Sequence, residues 1–111
     1  MKEKNTGKKR SGALQIGPLT LSMPLILAPL AGISDLPFRM MQRRYGCELA
    51  YTEMISARSL VYGSKQSVSM LATHETDRPL GVQLLGNEPE MLVRALDILQ
   101  QRICGGGGFR F

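Results

Sequence analysis

Leu80-Gly81-Val82-Gln83-Leu84-Leu85-Gly86-Asn87-Glu88-Pro89-Glu90 is the stretch on which the fold turns. A mostly apolar run, preceded by Pro79 and closed by Gly86, predicts a strand over 80–85. Asn87 then reads as a helix cap, with Pro89 in the first turn and Glu90 facing the exposed N–H groups. Beyond them Leu92, Ala95 and Leu99 fall at i, i+3 and i+7, and Met91 and Ile98 widen the stripe. A strand that passes directly into an amphipathic helix is one βα unit.

Upstream the same alternation repeats. Pro24-Leu25-Ile26-Leu27-Ala28 is a continuous apolar run, which predicts a strand buried on both faces. Ser34 or Asp35 can cap the helix that follows, with Pro37 in its first turn and Gly46 as its stop. Phe38, Met41 and Tyr45 form the expected inward stripe of that helix. Cys47 to Thr52 is a second strand candidate, and Ser56–Tyr62 and Ser64–Leu71 are candidate short helical turns. Ahead of all this, Leu14-Gln15-Ile16 and Leu19-Thr20-Leu21 flank Gly17-Pro18, a hairpin signal. The order is a hairpin and then β-α-β-α-β-α, which implies an α/β fold with right-handed crossovers and a parallel sheet.

Composition narrows the function classes. The 111 residues are 43% hydrophobic and 21% charged, ordinary values for a globular chain. The formal charge of +5 is concentrated: residues 1–10 hold five basic residues against Glu3, a net of +4. That arm reads as a disordered basic tail over 1–13, with some attraction for phosphates. Cys47 and Cys104 have no metal-ligand spacing and His74 adds none, so no metal is expected. His74 sits among polar residues as an exposed loop histidine, and Cys47 reads as a small packed side chain. No apolar segment suits a membrane span or a signal peptide, and the expected location is cytoplasmic.

Three segments carry a family resemblance. They are Leu27-Ala28-Pro29-Leu30-Ala31-Gly32-Ile33-Ser34-Asp35-Leu36-Pro37-Phe38-Arg39; Thr52-Glu53-Met54-Ile55-Ser56-Ala57-Arg58 with Tyr62-Gly63; and Arg78 to Glu90. In this order and at these spacings they resemble the opening of bacterial tRNA-dihydrouridine synthases. Leu30 departs from the family's usual methionine, a change that keeps volume and apolarity.

The resemblance implies part of a (β/α)8 TIM barrel over residues 14–102: the N-terminal hairpin and about three βα units, not closed. It implies FMN as cofactor, NADPH as reductant and tRNA as substrate, with hydride passing to C6 of a uracil. Pro29, Leu30 and Ala31 would lie along the flavin ring, and Gln83 would meet its pyrimidine edge with a donor and an acceptor. The residues alone leave other readings open. Pro29–Ala31 also fits an ordinary strand-ending turn, and Gln83, an amide within an apolar run, could be satisfied by nearby backbone. Glu53 and Arg58 could line the mouth, Arg58 toward tRNA phosphate, or form surface salt bridges.

The family's acid cysteine follows the fourth strand in an Asn-x-Gly-Cys-Pro setting. Cys104 lacks that setting, and residues 103–111 read as a non-family Gly-rich tail, so no catalytic residue is expected in this chain. A truncated or frameshifted frame would explain the change, and the isolated chain is then expected to bind FMN weakly or not at all and to be inactive alone. An exposed third-strand edge would also favour aggregation. The alternative is a non-catalytic remnant or small basic RNA-binding protein, for which Arg39, Arg43 and Arg44 would supply phosphate contacts.

Overall fold

The computed structural model describes residues 13–103; the basic arm, Cys104 and nearly all of the Gly-rich segment lie outside them. The chain is mixed α/β. β1 (Leu14–Ile16) and β2 (Leu19–Leu21) pair antiparallel, with Leu14 opposite Leu21. Gly17 takes φ 55° in the connecting turn, the left-handed conformation a tight hairpin requires.

Three strands then build a parallel sheet in sequence order. β3 (Ile26–Leu27) pairs with β4 (Leu49–Tyr51), and β4 pairs with β6 (Leu80–Gly81). β5 (Ile55–Ser56) and β7 (Leu84–Leu85) form a second parallel pair farther along the same two segments. Thr52 N–H donates to the Gly81 carbonyl and Ile55 N–H to the Gln83 carbonyl, so the two ladders run on with a kink between them. The strand expected over 80–85 is therefore broken at Val82–Gln83. A Cβ on Gly81 would fall inside the Tyr51 ring, so glycine is needed where that ring crosses the neighbouring strand.

α1 (Leu36–Arg44) is capped by Asp35, whose carboxylate accepts from Phe38 N–H at 3.1 Å, and it stops before Gly46 at φ 101°. α2 (Ala57–Val61) and α3 (Lys65–Ser69) are short and capped by Ser56 and Ser64. α4 (Pro89–Ile103) begins two residues after Asn87, with the Glu88 carbonyl as acceptor for Leu92 N–H. The apolar core lies between α2, α4 and the β5–β7 pair: Ile55, Ala57, Leu60, Leu71, Ala95 and Leu99, with Leu92 and Ile98 at its edge. Burying side chains such as Ile55, Leu60 and Leu99 contributes about 1.5–3 kcal/mol each.

Two expectations are corrected in the first βα unit. Leu25 is 66% exposed and Ile26 is exposed as well, so β3 is not buried on both faces. The cause is its position: among the described residues β3 pairs on one side only, and it contributes two residues to the ladder. Nor does α1 face inward through Phe38, Met41 and Tyr45; Met41 and Tyr45 are exposed, and Arg39 is the buried residue of the helix. Arg39 and Arg43, four apart, share the inward face, and what draws them in is a carboxylate. Asp77 is fully buried; Arg39 Nη2 reaches it at 2.8 Å and Arg43 Nε at 2.8 Å. An i, i+4 pair of guanidiniums with a shared buried anion outweighs the burial of a methionine and a tyrosine.

Candidate functional site

The sheet has two ends, and they differ chemically. At the entry end, before β4 and β6, the buried carboxylate and the arginines that face it are fully partnered. Arg39 donates to the Ser34 and Ala72 carbonyls as well as to Asp77. Arg43 donates to Asp77 and to the Glu48, Arg78 and Pro79 carbonyls. Thr73 Oγ1 adds a bond to Asp77 at 3.2 Å. Desolvation is the largest influence on Asp77 and works against its charge, yet the hydrogen bonds and charges of Arg39 and Arg43 together hold its carboxyl below the usual range. Glu48 joins the hairpin to the same end, accepting from Ser22 Oγ and from the Ser22 and Met23 amides. The Ser22 hydroxyl is the main cause of its lowered pKa.

The exit end is built differently. β3, β4 and β6 are in register at Leu27, Ala50 and Leu80, so Pro29–Ala31, Thr52–Glu53 and Val82–Gln83 follow at the same rim. The turn after β3 is tight. Leu30 carbonyl accepts from Ile33 N–H and Ser34 N–H, both at 2.9 Å, and from Ser34 Oγ. Leu30 N–H donates to Ser34 Oγ at 2.7 Å. Ser34 is fully buried beneath the turn. Gly32 has φ 76°, and its N–H donates to the Glu53 carboxylate on the neighbouring segment.

These bonds decide which atoms remain available. Both backbone groups of Leu30 are used inside the turn, so its contribution to a ligand is its half-exposed side chain. Ala31 N–H has no partner among the described residues. Gln83 N–H donates to Thr52 Oγ1 at 3.3 Å and its carbonyl accepts from Ile55 N–H. Its carboxamide is exposed and has no hydrogen-bond partner among the described residues. The expected cost of a buried amide at Gln83 therefore does not arise, because the strand breaks there and turns the side chain out. A free N–H on one segment and a free donor–acceptor pair two strands away suit a flat heterocycle with a mixed polar edge.

Other candidates fall into place around this rim. Arg58 pairs with Glu88 at 2.9 Å and lies over the Tyr62 ring at 5.3 Å, so the salt-bridge reading holds for Arg58. Glu53 instead holds the Gly32 amide. A cavity of about 390 Å³ opens beside them at the end of β7, lined in part by Ser56, Arg58, Asn87 and Met91. His74 is exposed and bonds Thr76. Cys47 precedes β4, at the entry end, with its thiol on the Leu49 carbonyl at 3.5 Å. No group of three or more potential metal ligands occurs among the described residues, and none of their helices is long and apolar enough to cross a membrane.

Sequence reasoning missed the Asp77 cluster altogether. The signal was available in Arg39 and Arg43 at i, i+4 and an aspartate just ahead of an apolar run, but nothing local pairs them.

Comparison with known proteins follows the same segments. The family model described as dihydrouridine synthase matches residues 26–106. The chain is 40% identical over 82 residues to tRNA-dihydrouridine synthase B of Pseudomonas aeruginosa, covering 74% of this chain and 25% of that protein. It is 38% identical over 82 residues to the protein of the same name from Xanthomonas campestris, again 74% of this chain and 25% of that one. The tRNA-dihydrouridine(47) synthase of Cryptococcus neoformans is 38% identical over 85 residues, 77% of this chain and 12% of that protein. The chain thus spans a quarter or less of the length of these curated relatives.

Proposed function

Because the chain belongs to the dihydrouridine synthase family, we propose that it forms the first part of an FMN-binding (β/α)8 barrel that reduces the C5–C6 bond of uridines in tRNA. Residues 14–102 are then the hairpin and first three βα units of that barrel. In-order parallel pairing of β3, β4 and β6 supports this reading, because a barrel adds each new strand beside the last. The observation that carries the flavin site is a pair of exposed groups at the exit rim, Ala31 N–H and the Gln83 carboxamide, which have no protein partner among the described residues. Barrel enzymes keep their chemistry at that end.

When bound, FMN reduced by NADPH would supply the hydride for C6 of the uracil. The chain's own residues would orient the ring. Pro29 has no N–H to desolvate, Ala31 is small enough to let backbone approach a flat face, and Gln83 offers both a donor and an acceptor to one edge. The proton for C5 is not assigned to Cys47, which lies at the entry end with its thiol on the Leu49 carbonyl. A cytoplasmic location, as expected from the sequence, would suit a tRNA substrate.

The remnant or RNA-binding reading is weakened by α1. Arg39 and Arg43 are committed to Asp77 and to five backbone carbonyls, which leaves Arg44 as the exposed arginine of that helix.

The test is NMR titration of the chain with riboflavin and with FMN at millimolar concentration. Shifts concentrated at Ala31 N–H and the Gln83 side-chain amide, alike for both ligands, are expected, because these residues would face the ring rather than the phosphate. No shift at either position would overturn the reading.

A further inference from the structure

The turn after β3 has a central peptide that could face either way. Leu30 carbonyl accepts from Ile33 N–H, which makes Leu30–Ile33 a β-turn with Ala31 and Gly32 at its middle positions. Gly32 at φ 76° gives the type II arrangement, whose third position takes positive φ. Types I and II share the closing bond and differ mainly in the orientation of the middle peptide. Here that peptide joins the Ala31 carbonyl to the Gly32 N–H. In a trans peptide the two groups point in opposite directions, so fixing one aims the other.

One residue outside the turn fixes it. The Gly32 N–H is held by the Glu53 carboxylate, 21 residues away on the segment that leaves β4. Ser34 secures the two ends of the turn from below through Leu30, but it makes no bond to the middle peptide. Gly32 itself provides no steric preference, since a Cβ there would meet nothing within 4 Å and glycine populates both signs of φ.

We infer that Glu53 is a positioning residue: by accepting the Gly32 N–H it sets the plane of the Ala31–Gly32 peptide, so that the Ala31 carbonyl points away from Glu53 and the rim offers one defined face to the flavin. The flavin clause rests on the function proposed above; the peptide-plane clause does not. Glu53 thereby couples two neighbouring βα loops that β-sheet pairing alone leaves independent beyond Leu27 and Ala50.

The experiment compares the full chain with Glu53→Ala and Glu53→Gln. Glu53→Gln keeps an acceptor oxygen and serves as the rescue. Amide exchange of Gly32 should accelerate about tenfold or more in Glu53→Ala and stay near the parent rate in Glu53→Gln. The Ala31 carbonyl ¹³C shift should move only in Glu53→Ala. Midpoints of urea unfolding should differ little among the three, which separates positioning from general loosening. Riboflavin-induced shifts at Ala31 N–H should require about three- to tenfold more ligand in Glu53→Ala, and the parent concentration in Glu53→Gln. Unchanged Gly32 exchange in Glu53→Ala overturns the inference. Faster exchange with an unchanged riboflavin titration overturns its flavin clause. A parent chain whose Ala31 and Gln83 do not respond to riboflavin sinks the flavin reading and its clause here, and exchange still decides the peptide-plane clause.

Discussion

The entry and exit ends of this sheet are built from similar residues and treat them in opposite ways. At the entry end Arg39 and Asp77 are buried and Arg43 partly so, and the three spend their hydrogen bonds on one another and on carbonyls. At the exit end, Glu53 secures one amide while Ala31 N–H and the Gln83 carboxamide have no partner among the described residues. Polar saturation marks the end that holds the fold, and polar surplus is found at the end proposed above to meet the flavin.

The sharpest way to break this comparison is Asp77→Ala. Removing the shared anion leaves two buried guanidiniums unpaired, and the expected loss is about 3–5 kcal/mol in urea unfolding. A loss under about 1 kcal/mol would mean that the entry end does not hold the fold. The same group predicts acid sensitivity. Its folded pKa is depressed, so its stabilisation is fully present above the ordinary aspartate range and is lost as pH falls through the folded value. The urea midpoint should hold from neutral pH to about pH 5 and then decline below pH 4, and the decline should be shallower in Asp77→Asn.

At the exit end the expected effects are smaller and of another kind. Gln83→Ala should weaken riboflavin or FMN binding about tenfold, read from the same titration, while changing stability by less than about 0.5 kcal/mol. An equal loss of stability there would erase the distinction between the two ends. The smallest effect is expected for Arg58→Ala. Its pair with Glu88 is exposed at 61% and 54%, and removing it should cost about 0–1 kcal/mol by the same unfolding measurement.

What could be read from the sequence follows the reach of each signal. The hairpin at Gly17-Pro18, the Asp35 cap, the Gly46 stop and the Leu92–Ala95–Leu99 stripe depend on neighbours within a few residues, and all four occur in the structure. The strand order follows from short-range alternation with the crossover rule. The failures involve partners far along the chain. Periodicity chose Phe38, Met41 and Tyr45 for α1, but the helix is rolled by a carboxylate 38 residues from Arg39. The run 80–85 reads as one strand because its break at Val82–Gln83 lies against the adjacent segment, where Gln83 N–H donates to Thr52 Oγ1. At the rim the sequence yields the residue types, whereas the spent and unspent hydrogen bonds exist only once three loops are brought together.

The Arg39–Asp77 contact also has a consequence in time. It closes a loop of 38 residues that contains β4, β5, α2 and α3. By loop length alone, that closure costs about 3 kcal/mol of chain entropy before either charge is compensated. Such a contact is expected to form after the barrier to folding, when the enclosed elements have already drawn its ends together. Asp77→Asn should then speed unfolding and leave the folding rate nearly unchanged, a chevron with one arm displaced. The buried charge would act as a latch, setting how long the fold persists rather than how fast it is reached.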